Sequence, residues 1–228
     1  MKKRSIFKSV LAGTSLLLFA TLITSCSKDD DIDPSGSANV IAVNAAAGSS
    51  AQTFQISGNT LKSGLAFGQA SEYIGTNSGD NLRAEFRTDG SASATATEEL
   101  DFTNGRHYSV FLAGEGQDAR IRAFEDNLDA PASGQAKIRF VHLSDAAPRN
   151  VDIRRANGEN LITNLEHDRA SDYVTVSPGV LSLQVFAAGQ NTSLGNFDLS
   201  AFAPDKIYTV YVAGSDANNI SVHQVRHN

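Results

Sequence analysis

The sequence predicts an all-β protein built from two β-sandwich domains in tandem. Three observations carry this. The folded part repeats itself at a spacing of about 100 residues. Within each repeat, short apolar or alternating runs are separated by turn residues. No segment has a helical period, and many short strands with frequent turns and no helices indicate sandwiches.

The chain opens with an export segment, residues 1–25. Lys2, Lys3, Arg4 and Lys8 form a positive start, Val10 to Leu22 an apolar core, and Thr24 and Ser25 a small-residue exit. A spanning helix needs about 20 mainly apolar residues. This core is shorter and is interrupted by Gly13, Thr14 and Ser15, so it reads as a signal peptide.

Cys26 follows directly and is the only cysteine. Leu22-Ile23-Thr24-Ser25-Cys26 resembles a bacterial lipobox, which implies cleavage before Cys26 and acylation of its thiol, palmitate included. Each buried methylene contributes about 0.8 kcal/mol, so stable anchoring takes more than one acyl chain. Residues 26–37 are polar, acidic and rich in Ser, Gly and Asp, too poor in apolar surface to fold, and are expected to form a disordered tether. Ser27-Lys28-Asp29-Asp30-Asp31 resembles the lipoprotein export signal of Bacteroidota. That resemblance implies an outer-membrane lipoprotein exposed on the cell surface, with Lys28, Asp29, Asp30 and Asp31 as the address.

The first domain is expected over 38–126, a linker over 127–134 and the second domain over 135–228, with Asp126 opening the connector and Pro131 and Gly134 within it. Three blocks repeat in order. Ala38–Asn44 matches Ala136–His142, Leu65–Ile74 matches Leu165–Val174, and His107–Gly114 matches Ile207–Gly214. In the second copy, strands are expected over Lys137–Leu143, Val151–Arg154, Tyr173–Val176, Leu181–Phe186, Ile207–Val212 and Ile220–Val225. Leu181, Leu183 and Val185 alternate with polar residues, as in a half-buried strand. Ile207–Val212 is apolar on both faces, as a central strand is. Asn104-Gly105, Asn157-Gly158 and Pro178-Gly179 are turn dipeptides. Each unit is expected to hold its own core, so a fragment from about Gln135 to Asn228 should fold alone.

Tyr108 and Tyr208 each open a late strand just after a turn, and Asp205-Lys206-Ile207-Tyr208 resembles the tyrosine corner of immunoglobulin-like sandwiches. Both tyrosines are therefore expected to be structural, and the sandwiches immunoglobulin-like.

The opening of the second unit carries a further resemblance. Arg139-Phe140-Val141-His142-Leu143-Ser144-Asp145-Ala146-Ala147-Pro148, followed by Val151-Asp152-Ile153, resembles the start of the DUF4397 family, through His142, Ser144, Pro148, Val151 and Asp152. Asp145 stands where that family has its first proline, in a shortened motif. The first unit looks like a divergent copy, with Asn44 at the position of His142. The resemblance implies extracytoplasmic β-sandwiches, often in tandem and on lipoproteins, and no established activity.

Charge and composition narrow the function. The chain has 19 Lys+Arg and 25 Asp+Glu; removal of the signal takes four basic residues, leaving 15 against 25 and a net charge of −10. Such a surface argues against nucleic acid. There is no Trp, and Met1 is the sole Met. With Cys26 at the anchor, disulfides and thiol catalysis are excluded from the folded part. Of the histidines His107, His142, His167, His223 and His227, only the last two are four apart, on a segment read as strand and chain end, so no zinc site is assigned. Glu98-Glu99 point to opposite faces of a strand and make a poor catalytic pair. Asp126, Asp129 and Asp216 are candidate calcium ligands, but their spacing matches no EF-hand. No metal, cofactor or catalytic residue is therefore assigned. The candidate loop site is His142, Ser144, Asp145 and Asp152, where His142 and Asp145 could face each other across a turn, against the alternative of a histidine bonded to its own loop. The expected function is a surface-anchored, non-catalytic interaction or structural module of the envelope, partnered by the membrane through its lipid and by an envelope protein or glycan. An accessory glycan-binding lipoprotein is the alternative, and an envelope hydrolase a remoter one.

Overall fold

The computed structural model describes residues 36–216 and 219–228. Cys26, Lys28, Asp29, Asp30 and Asp31, and with them the signal and most of the tether, lie outside the described residues.

Among the described residues, seventeen strands and one short 3-10 turn make up the fold. The first repeat holds β1 (Ser37–Asn44), β2 (Gln52–Ile56), β3 (Asn59–Leu65), β4 (Ile74–Asn77), β5 (Gly79–Thr88), β6 (Ala94–Phe102), β7 (His107–Ala113) and β8 (Arg120–Glu125). The second holds β9 (Ala136–His142), β10 (Asn150–Arg155), β11 (Asn160–Glu166), β12 (Arg169–Ala170), β13 (Val174–Val176), β14 (Gly179–Ala187), β15 (Ser193–Phe202), β16 (Ile207–Ala213) and β17 (Ser221–Arg226). The two repeats have the same connectivity. One sheet runs β4-β1-β7-β8 or β12-β9-β16-β17, with β13 also on β9; the other runs β3-β2-β5-β6 or β11-β10-β14-β15. Lettered in chain order, with β12 and β13 sharing the letter D, each sandwich packs CBEF on DAGH, whereas the immunoglobulin constant type packs ABED on CFG. The likeness to immunoglobulin domains thus rests on the two-sheet architecture and the tyrosine corner, not on strand order. Its distinctive pairing is parallel, with β1 beside β7 and β9 beside β16.

The strand period explains the layering. Along β1, Ala38, Val40 and Ala42 enter a core shared with Phe54, Ile56 and Phe86 of the facing sheet, while Ile41 and Val43 point the other way. In β16, Tyr208, Val210 and Val212 enter the second sandwich's core, and Tyr211 and Ala213 the opposite face. Those opposite faces meet in a third core, where Ile41, Val43, Phe111 and Ala113 pack against Val141, Leu143, Tyr211, Ala213 and Val225. The order is therefore four layers, with the two DAGH sheets inside. Strands buried on both faces read as continuous apolar runs, which is why Val110–Ala113 and Ile207–Ala213 show little alternation.

Residues 127–134 carry no strand and are mostly exposed, and Lys137 Nζ holds the segment through Asn127 Oδ1 at 3.0 Å. Asp126, placed at the head of the connector by the sequence, is instead buried at 5% exposure. β11 and β15, which were not expected as strands, are sheet edges with largely solvated side chains.

Candidate functional site

The four loop-site residues do not form one site. His142 is fully buried at the end of β9, and its Nε2 donates to the Pro148 carbonyl at 2.9 Å, the geometry of a histidine bonded to its own loop. Burial lowers its pKa, against the opposing pull of that carbonyl. Ser144 Oγ donates to Gly214 O (3.1 Å) and accepts from Ala147 N (3.2 Å), clamping the Ser144–Pro148 turn onto the end of β16. Asp152 lies on the CBEF sheet, where its carboxylate accepts from Asn164 N (2.9 Å), Gly189 N (3.0 Å) and Arg154 (3.2 Å). Burial raises its pKa, but these donors outweigh it and hold the group ionised below the usual range. Asn164 has φ 56°, and the equivalent Gly64 (φ 75°) gives its N–H to Asp89 at 3.0 Å. A carboxylate holding this left-handed residue is thus shared by both repeats, although Asp152 lies on β10 and Asp89 in the turn after β5.

Asp145 alone enters a polar cluster, and it meets His167 rather than His142. Arg120, on β8 of the first repeat, donates to Asp168 from Nε (2.9 Å) and to Asp145 from Nη1 (3.0 Å), and Nη2 lies 2.9 Å from His167 Nε2. The rings of His142 and His167 meet edge-on at 5.2 Å. Burial lowers the Arg120 pKa, but Asp145 and Asp168 outweigh it and raise the net value. This cluster ties the two sandwiches together at one end of their seam.

A second cluster lies at the other end. Arg139 (β9) pairs with Asp126, and both side chains are buried. Ser109 Oγ donates to Asp126 (2.9 Å), Tyr73 Oη donates to Asp126 Oδ2 (2.7 Å), and His227 Nδ1 lies 3.0 Å from Tyr73 Oη. Thr209 Oγ1 lies 2.8 Å from His227 Nε2 and accepts from Arg139 Nε at 2.9 Å. One assignment of protons satisfies the whole ring: His227 is neutral with its hydrogen on Nδ1, donating to Tyr73 and accepting from Thr209. Burial is the main cause that pushes the His227 pKa down to about 4. Burial, with the Asp126 charge, pushes the Tyr73 pKa far up.

Tyr208 Oη accepts from Ala203 N and Tyr108 Oη from Thr103 N, each at 3.0 Å. Both are tyrosine corners, as the sequence led one to expect. The candidate calcium ligands are dispersed, with Asp126 on Arg139 and Asp216 on Asn219. Among the described residues, no group of three or more His, Cys, Asp or Glu side chains is arranged to hold a metal ion. Sequence reasoning missed Arg120 in the first cluster and the Arg139, Tyr73 and His227 set in the second, because each cluster is completed by residues of the other repeat.

Similar solved structures include the C-terminal domain of AlgF from P. aeruginosa, 19% identical, covering 41% of this chain and 98% of that one, with a TM-score of 0.30. Another is CBMbc (family CBM26) from Eubacterium rectale Amy13K in complex with maltoheptaose, 13% identical, covering 82% and 96%, with a TM-score of 0.28. At these scores the likeness carries no argument about this chain. No curated protein matches it. The family model described as "Domain of unknown function (DUF4397)" matches residues 38–154 and 145–227, and with most of its length and both its repeats so matched, the chain belongs to that family.

Proposed function

We propose that this chain is a surface-anchored, non-catalytic lipoprotein that serves as an interaction or structural module of the cell envelope. The observation that carries the reading is the commitment of its acid–base groups to internal bonds. His142 is held by Pro148 O, His227 by Thr209 and Tyr73, Asp126 by Arg139, and Asp152 by two backbone N–H groups. A general base or nucleophile needs a free lone pair facing substrate; His227, Asp126 and Asp152 spend theirs on joining turns and sandwiches, and the unpartnered Nδ1 of His142 is fully buried. The signal-like start, Cys26 and the Lys28–Asp31 run support anchoring and outward display.

Replacing Cys26 with Ala should release the protein from membranes or leave it unprocessed, and replacing Lys28, Asp29 and Asp30 with Ala should keep the lipid but lose surface exposure. Mass spectrometry of the mature terminus and protease shaving of intact cells read these outcomes. An unmodified wild-type terminus, or equal shaving of mutant and wild type, would overturn the anchor and the address respectively. The second reading, an accessory glycan-binding lipoprotein, is favoured by the arginine-bearing cleft described next, and a glycan-array screen separates it from a purely structural role.

A further inference from the structure

The repeats provide an internal comparison. Leu65-Ala66-Phe67-Gly68-Gln69-Ala70 in the first corresponds to Leu165-Glu166-His167-Asp168-Arg169-Ala170 in the second. Each turn packs on the last strand of the opposite sandwich. In one case Phe67 meets His223 edge-on at 5.1 Å. In the other, Asp168 meets Arg122 at 2.9 Å. Arg122 and His223 are themselves equivalent, lying across from Phe111 and Tyr211 in their ladders. The same seam is therefore closed once by an apolar turn and once by a charged one. The charged turn also puts a non-glycine residue, Asp168, at φ 60°, where the other has Gly68 at φ 81°, a position of modest cost to a side chain. Joining the sandwiches does not require the charges, since the apolar version does the same work.

The charged turn walls a cleft of about 480 Å³ that spans the seam. Its lining includes Arg122 and Phe124 from the first repeat and Arg149, Glu166, Asp168 and Arg169 from the second. Arg149 pairs with Glu166 at 2.5 Å, and Asp168 is taken by Arg120 and Arg122. Arg169 is exposed and makes no ion pair within 4.0 Å among the described residues, although its charge, after that of Arg149, helps lower the Glu166 pKa. In a mature chain of net charge −10, the cleft thus gathers three guanidinium groups against two carboxylates.

We infer that this cleft binds a saccharide unit bearing a single carboxylate, an inference that rests on the interaction-module reading above and names its ligand class. Guanidinium forks match a planar carboxylate, and Arg169 with Arg149 supplies them at the rim. Glu166 and Asp168 accept hydrogen bonds from neutral hydroxyls and repel a multiply charged anion such as phosphate. Phe124 offers a partly exposed ring for the apolar face of a sugar.

The test is calorimetric titration of the intact protein with a disaccharide ending in glucuronate and with the same disaccharide ending in glucose. The glucuronate compound should bind at least tenfold more tightly. Arg169→Gln and Arg149→Gln should each weaken it tenfold or more without shifting the thermal midpoint. Arg106→Gln, an exposed ion-pair variant outside the cleft, should leave it unchanged. Inorganic phosphate at tenfold excess should not compete. Equal binding of the two disaccharides, no binding, indifference to both cleft variants, or competition by phosphate each overturns the inference. A protein that binds other glycans or an envelope protein while failing here would leave the interaction-module reading standing.

Discussion

Arg139 and Asp126 form a buried ion pair between the two repeats, with side chains 3% and 0% exposed. Asp126 ends the first sandwich, and Arg139 lies on the first strand of the second. The position equivalent to Arg139 in the first repeat is Ile41, which enters the same middle core. The charge is therefore a property of the seam and not of the strand. Removing one partner of a buried pair leaves an uncompensated charge and costs about 3–5 kcal/mol. Asp126→Leu should destabilise the protein by that order in a denaturant melt. Adding Arg139→Ile should recover part of the loss, because two apolar residues leave no unpaired charge. A double variant less stable than the single would show that the pair contributes more than it costs to bury.

Acid should loosen the same region. The folded-state pKa of His227 is about 4, below the ordinary value of about 6.5. The unfolded chain therefore binds the proton first. The stability this neutral histidine contributes is fully present above about pH 6.5 and is lost as pH falls through about 4. A shift of this size corresponds to at most about 3–4 kcal/mol. The thermal midpoint should fall between pH 6.5 and 4, and His227→Gln should flatten that dependence. An equally steep profile in the variant would place the effect in other groups, with His142 and His223, both lowered by burial, the next to test.

Two tyrosines of β16 predict opposite results. Tyr208→Phe removes the acceptor for Ala203 N and should cost about 0.5–1.5 kcal/mol. Tyr211 is fully buried in the middle core with its hydroxyl unpartnered, stacked on His223 at 5.2 Å. Its equivalent in the first repeat is Phe111, whose ring it meets at 5.4 Å. Tyr211→Phe should be neutral or stabilising, since it relieves a buried unsatisfied group. A marked loss of stability in that variant would mean the hydroxyl has a partner in solution.

The fragment from Gln135 to Asn228 should keep its own core of Ile138, Phe140, Leu183, Val185 and Val210 and give β-type circular dichroism. It should also expose Val141, Leu143, Tyr211 and Val225, which the intact chain buries. Losing such burial costs about 1.5–3 kcal/mol per large side chain, so the fragment should melt below the intact protein and self-associate in analytical ultracentrifugation. A monomer melting at the full-length midpoint would mean that the middle core adds little. An unfolded fragment would show that the two units share one cooperative core.

Much of each sandwich was legible. The expected strands of the second repeat appear at Ala136–His142, Asn150–Arg155, Val174–Val176, Gly179–Ala187, Ile207–Ala213 and Ser221–Arg226, within a few residues of the predicted bounds. The turn at Asn157-Gly158 joins β10 to β11, with Gly158 at φ 88°. β11 and β15 escaped because Asn160–Glu166 and Ser193–Phe202 are edge strands, where solvated side chains weaken the two-residue period. His142 was legible as a loop-bonded histidine. Its neighbour His167 was not legible as the partner of Asp145, since that contact depends on Arg120 arriving from the other sandwich.

The sequence by itself determined the strand-rich class, the duplication, the tyrosine corners and the turn after His142, because each rests on interactions within a few residues or on a period along one strand. Only the tertiary structure decided that the two sandwiches pack sheet to sheet, that Asp126 is buried against Arg139, and that Arg122, Arg149 and Arg169 meet at one cleft. Those contacts join residues from separate strands and turns. A pattern along the chain records whether a side chain is apolar or charged, but not which distant surface will meet it.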